Sequence, residues 1–131
     1  TGGQLPFAVM SPRAQNSDAL ISDCQVWIAE NYTCSNPVAQ MAARAGLKSR
    51  TFGRRFRSAT GYEPMNYVHA IRIEEAKQLL ETSGVSLEEI GHAVGYDDPT
   101  SFRRLFKRKA GLTPAAYRRK FARIIASGLR R

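Results

Sequence analysis

Acidic side chains are scarce in this chain: 11 Asp and Glu stand against 20 Lys and Arg, a formal charge of +9. A balance this basic points to a polyanion as partner. Cysteine is almost absent. Cys24 and Cys34 are the only two, and His69 and His92 cannot complete a tetrahedral zinc site with them at any usual spacing. The pair fits reduced thiols of an intracellular protein rather than a disulfide framework. No apolar run approaches ~18 residues, so no segment reads as a membrane span. Leu5 to Met10 is too short, and lacks the charged flank, for a signal peptide. No stretch alternates with a period of two over enough length to make a strand. An activated nucleophile, a carboxylate pair and a phosphate-cradling glycine loop are all missing, and Glu88-Glu89 reads as the acidic first turn of a helix. The residues therefore give no support to an enzyme, and no cofactor or metal is expected.

What the chain does have is a repeat. Phe52, Phe56, Gly61, Pro64 and Tyr67 return 50 positions later as Phe102, Phe106, Gly111, Pro114 and Tyr117. Bases fill the gaps between the aromatics. Lys48 to Arg57 holds five (Lys48, Arg50, Arg54, Arg55 and Arg57) with no acid, and Arg103 to Lys109 again holds five with no acid. One basic run would suit a merely solvated surface. Two runs at matched repeat positions suit a device that grips nucleic acid twice.

Periodicity and punctuation predict an all-α chain of seven helices. Residues 1–17, rich in Gly, Pro, Ser and Gln, read as a linker or tail, and a start at Thr1 suggests a fragment of something longer. A first helix is expected at 18–31. Asn36-Pro37 supplies an N-cap and a first-turn proline for a helix over 37–45, and Gly46 separates it from another over 49–59. Pro64 opens a long helix to Thr82. The pair Ser86 and Glu89 is a capping box for 87–94. Asp98 and Pro99 start a helix over 99–109, and Pro114 starts the last, to about 123. The organisation is thus two helix-turn-helix subdomains (18–63 and 83–123), a linker helix (64–82) and a basic tail (124–131). Met41 precedes Phe52 by 11 positions and Ile90 precedes Phe102 by 12, so the second turn is one residue longer. Ala42 and Gly46, then Gly91 and Gly95, are small residues where the helices of each unit must cross.

With Phe52 set inward and 100° per residue, Phe56 and Ala59 fall within about 40° of it. Arg50, Arg54 and Arg57 fall within about 40° of the opposite pole. The second unit likewise turns Thr100, Arg104 and Lys107 outward, with Arg103 on the flank. An outward arginine face fits the major groove, where guanidinium pairs with guanine O6 and N7; phosphate clamping is the competing use of the same cations. Arg50, Arg54, Thr100, Arg103 and Arg104 are the candidates for base contact. Lys48, Arg55, Arg57, Ser101, Lys107 and Arg118 are the candidates for phosphate, with a structural role also open to Arg55 near the core edge. The linker helix is apolar on several sides, as a helix packed against more than one body is. Its ~19 residues span ~28 Å, close to the ~34 Å between successive major grooves on one DNA face.

Thr51-Phe52-Gly53-Arg54-Arg55-Phe56 with Gly61-x2-Pro64-x2-Tyr67 resembles the AraC/XylS DNA-binding domain. So do Ile71-Arg72, Gly95-Tyr96, Ser101 to Lys107, and Gly111-Leu112-Thr113-Pro114-x2-Tyr117-Arg118. The resemblance covers about residues 20–122. It implies a cytoplasmic transcription regulator that reads double-stranded DNA with the helices starting at Ser49 and Pro99 (a homeodomain-like pair), and RNA polymerase as a further partner. A non-specific or architectural binder, using the cations for phosphates only, is the alternative. Three positions depart from the family pattern: Lys48 replaces a frequent serine cap, Gly53 replaces a frequent polar reader, and Gly91 replaces a common alanine. Gly2-Gly3-Gln4-x-Pro6-Phe7 resembles the junction that follows a glutamine-amidotransferase-like sensor domain, which implies that any effector acts through that missing part.

Overall fold

The computed structural model describes residues 18–129, with side chains through Ile124. The sensor-domain junction suggested by Gly2 to Phe7 lies outside the described residues. Seven helices and no strand occur among those described: α1 (Ala19–Asn31), α2 (Pro37–Ala45), α3 (Ser49–Thr60), α4 (Pro64–Thr82), α5 (Leu87–Ala93), α6 (Pro99–Ala110) and α7 (Pro114–Leu129). The chain divides into two compact units at Arg72–Ile73, inside α4.

In the first unit, Asp18 caps α1, its carboxylate accepting from the amides of Leu20 (3.1 Å) and Ile21 (3.3 Å). This satisfies two of the amides that a helix start leaves without a partner. No glycine closes the other end of α1. The buried guanidinium of Arg72 does so instead, Nε donating to the Tyr32 carbonyl (2.7 Å) and Nη2 to that of Cys34 (3.0 Å). Ile21, Cys24 and Ile28 pack with Met41, Ala42, Phe52, Phe56, Tyr67, Val68 and Ile71. Within this core Gln25 Nε2 donates to the Tyr67 hydroxyl at 3.1 Å, and the Cys24 thiol lies 3.6 Å from the Met41 carbonyl. Burial raises the Tyr67 phenol above its ordinary pKa, so the hydroxyl stays neutral and accepts.

The second unit repeats the arrangement with different details. Phe106 meets Tyr117 edge-on at 5.6 Å and 76°, as Phe56 meets Tyr67 at 5.2 Å and 79°. The sequence repeat is therefore a repeat of one aromatic contact, a geometry that ring quadrupoles favour. Tyr117 donates to Glu81 through a short hydrogen bond. Burial, then that carboxylate, push the phenol well above its usual range. Arg118 closes α4 much as Arg72 closes α1, with Nη2 on the Ser83 carbonyl at 3.0 Å and Nε near that of Leu80 at 3.4 Å. Cations at a helix C-terminus complement its exposed carbonyls.

Four details differ from the sequence expectations. Asn36 precedes Pro37 but is left-handed (φ 51°) and makes no side-chain cap bond. Its carbonyl accepts from the Gln40 amide, and Gln40 Nε2 holds the Ser35 carbonyl at 2.6 Å. Gly46 (φ 70°) has open space where a Cβ would stand, so it serves the backbone rather than a helix crossing, and Gly95 (φ 112°) is left-handed as well. Each closes a Schellman pair, Leu47 N to Ala42 O and Tyr96 N to Gly91 O, and positive φ is the region glycine enters freely. The Ser86–Glu89 box is one-sided: Ser86 Oγ accepts from the Glu89 amide and donates to Glu89 Oε1. Finally, α7 runs past Arg123 to Leu129, since neither proline nor glycine interrupts it before Gly128.

Candidate nucleic-acid interface

The outer faces of α3 and α6 are positioned by their inner ones. Phe52 and Phe56 (5.6 Å apart) and Phe102 and Phe106 (5.9 Å apart) are buried and fix the rotation of each helix. At helical spacing this leaves Arg50, Arg54, Arg55 and Arg57 of α3 exposed, and Thr100, Ser101, Arg103, Arg104 and Lys107 of α6 exposed. Leu105 is buried, where the first unit carries exposed Arg55.

The two helices start differently. Both turns share the Schellman closure, so the extra residue of the second falls after Tyr96, at Asp97-Asp98. Asp98 caps α6, taking the amides of Thr100 (3.3 Å) and Ser101 (3.2 Å) and the Ser101 hydroxyl (2.7 Å). The bond from Ser101 is the main reason its carboxyl titrates below the usual range. Lys48 occupies the same place before α3 and makes no side-chain cap bond. Its ammonium has only donors, so it cannot serve the free amides of a helix start.

The cations then divide by what they already hold. Arg55 is tied to Asp18, Nε to Oδ2 at 2.7 Å and Nη2 to Oδ1 at 3.2 Å, which joins α3 to the cap of α1. Arg57 pairs with Glu63 at 2.8 Å on the surface, and Arg118 is turned onto the end of α4. Arg103 donates to Thr100 Oγ1 at 3.2 Å, so these two side chains lie together on the flank of α6. Arg50, Arg54, Arg104 and Lys107 have no hydrogen bond or ion pair among the described residues. Two cationic faces thus remain available, centred on Arg50 and Arg54 in one unit and on Arg104 and Lys107 in the other. Arginine on such a face can fork onto a guanine edge or a phosphate; lysine presents a point charge.

Sequence reasoning passed over Arg72 as a structural residue. The signal was there: a lone arginine between Ile71 and Ile73, on a helix apolar all round. Arg44, 4.9 Å from the centre of the Trp27 ring, was missed as well, because the pair comes together only when α1 and α2 pack.

Comparison with known proteins agrees with this geometry. The helix-turn-helix domain family matches residues 41–120. The MmsAB operon regulatory protein of Pseudomonas aeruginosa is 41% identical over 81 residues, which are 62% of this chain and 26% of that protein. The HTH-type transcriptional activator RhaS of Salmonella schwarzengrund is 30% identical over 101 residues, 77% of this chain and 36% of that protein. The chain therefore spans well under half the length of these relatives. Among solved structures, the DNA-binding domain of AdpA, a global transcriptional factor in complex with a target DNA, superposes with a TM-score of 0.74 at 39% identity, covering 80% of this chain and 94% of that one. The C-terminal domain of the response regulator yesN from Fusobacterium nucleatum gives 0.70 at 31% identity, over 72% and 93%. With the twofold helix-turn-helix, the repeated aromatic contact and these relatives together, the chain belongs to the AraC-type helix-turn-helix family of transcriptional regulators.

Proposed function

We propose that this chain is the double-stranded DNA-reading part of a regulator, with α3 and α6 entering two successive major-groove segments. The observation that carries the proposal is the pair of exposed cationic faces, each on the second helix of a helix-turn-helix, whose central residues (Arg50 and Arg54, Arg104 and Lys107) hold no partner among the described residues. Arg50, Arg54, Arg103, Arg104 and Thr100 take base edges. Lys48, Arg57, Ser101 and Lys107 take phosphates, and Arg55 and Arg118 do so with the donors their internal bonds leave over. The AdpA domain, solved on a target DNA, supports this use of the fold. Recruitment of RNA polymerase and control by an effector belong to the proposal for the whole regulator, acting in the cytoplasm. No helix among the described residues is long and apolar enough to cross a membrane.

Binding to random duplexes, with selection of the best, tests the reading. The chain should hold its selected duplex ~10³-fold or more tighter than a scrambled one at physiological salt. Equal affinities would leave only phosphate contact, since salt sensitivity alone is common to both kinds of binding.

A further inference from the structure

Glycine inside an exposed helix is destabilising relative to alanine, because it loses more backbone freedom on folding and shields less of the helix backbone. Among the described residues most glycines have a local reason. Those at positive φ end helices, and a Cβ on Gly91 would fall 2.8 Å from Cδ2 of Phe102. Gly53 has neither reason. It sits in the interior of α3, its φ is not positive, and a Cβ there would meet nothing within 4 Å. The fold itself has no use for this glycine.

Its place in the repeat sharpens the point. Position 53 lies about 100° round α3 from Phe52, on the flank beside the face that carries Arg50, Arg54 and Arg57. Fifty residues on, the same place is held by Arg103, which reaches along α6 to Thr100 Oγ1. One motif therefore carries a long cationic side chain at this place in one unit and no side chain in the other. Glycine is the residue that lets a backbone approach a ligand closely.

We propose that Gly53 is a specificity-determining position that works by being bare: it lets the backbone of α3 seat against the DNA in the first groove, while Arg103 projects into the second. The inference rests on the DNA-reading of α3 proposed above. The two half-sites are then read in unlike ways, the first by close helix approach flanked by Arg50 and Arg54, the second by arginine reach.

The test compares the wild-type chain with Gly53→Ala on three duplexes: the one selected by the wild type, the same duplex with its first half-site scrambled, and a fully scrambled one. The added methyl has open space and improves the helix, so Tm should rise by about 2–4 °C. Affinity for the selected duplex should nonetheless fall about tenfold, and the two proteins should bind the half-scrambled duplex equally. Unchanged affinity for the selected duplex overturns the proposal. So does a lower Tm, which would mean that the fold needs the glycine after all. If the wild type itself fails to prefer its selected duplex, the DNA-reading of α3 has failed, and that outcome is separate from wild-type preference with an indifferent Gly53→Ala.

Discussion

Replacing Phe106 with alanine removes a ring that is fully buried and held from two sides. Phe102 lies 5.9 Å away, and Tyr117 meets it edge-on at 5.6 Å. Phe→Ala in a core costs ~3–5 kcal/mol, from lost transfer energy and the cavity left behind. The upper part of that range applies here, because Tyr117 is anchored through Glu81 and cannot swing in to fill the space. A domain typically has ~5–15 kcal/mol of stability in all, so the loss is a large fraction of it. Urea unfolding followed by far-UV circular dichroism reads the effect. With a slope of ~1–3 kcal/mol per molar, the midpoint should fall by about 2 M. Trp27, the one tryptophan, lies in the first unit and so reports less directly. Phe56→Ala should cost the same within ~1 kcal/mol, since Phe56 makes the matching contacts with Phe52 and Tyr67. A Phe106→Ala chain with an unshifted midpoint would mean that the inner face of α6, and with it the outer one, has been assigned wrongly.

Arg104→Ala should weaken binding by ~1–3 kcal/mol at one base pair and relax preference there; a competition series over all four base pairs checks it, and equal loss on every sequence would make Arg104 a phosphate contact. Lys107→Ala should lower the slope of log K against log salt by about 1 with little change in preference, and an unchanged slope counts against the sorting of cations. Gly91→Ala should destabilise by up to about 2 kcal/mol, because overpacking against Phe102 (~1–3) outweighs the helix gain (~1); a more stable variant would contradict the close approach. The bond from Arg55, with the amides of Ile21 and Leu20, holds the Asp18 carboxyl below its usual range. Its contribution is therefore complete at neutral pH and lost as pH falls through the lowered folded-state value. Asp18→Asn, which keeps a capping oxygen, should flatten the acid limb of a stability–pH curve below about pH 4, and an identical limb would remove Asp18–Arg55 from the account.

The all-α architecture was legible because its signals are local. Prolines at positions 37, 64, 99 and 114 and glycines at 46, 61 and 111 mark helix ends, and each keeps that place in the structure. The Phe stripes were legible because a period of 3.6 ties burial to sequence spacing. What could not be read depends on residues far apart in the chain. Arg55 reads as a cation near a core edge until Asp18, 37 positions away, is found beside it. Arg118 looks like a basic-run residue until α7 places it under the last turn of α4. Asn36 was misread because asparagine suits both a capping and a left-handed conformation, and its backbone, at φ 51° with no side-chain cap bond, takes the second.

Guanine-N7 methylation interference on the selected duplex tests the central claim most directly, since that atom is exposed in the major groove. Two clusters of interference on one face, about one helical turn apart, are expected, the second weakened by Arg104→Ala and the first by Arg54→Ala. A single cluster, or none, would contradict the proposal that both units read DNA.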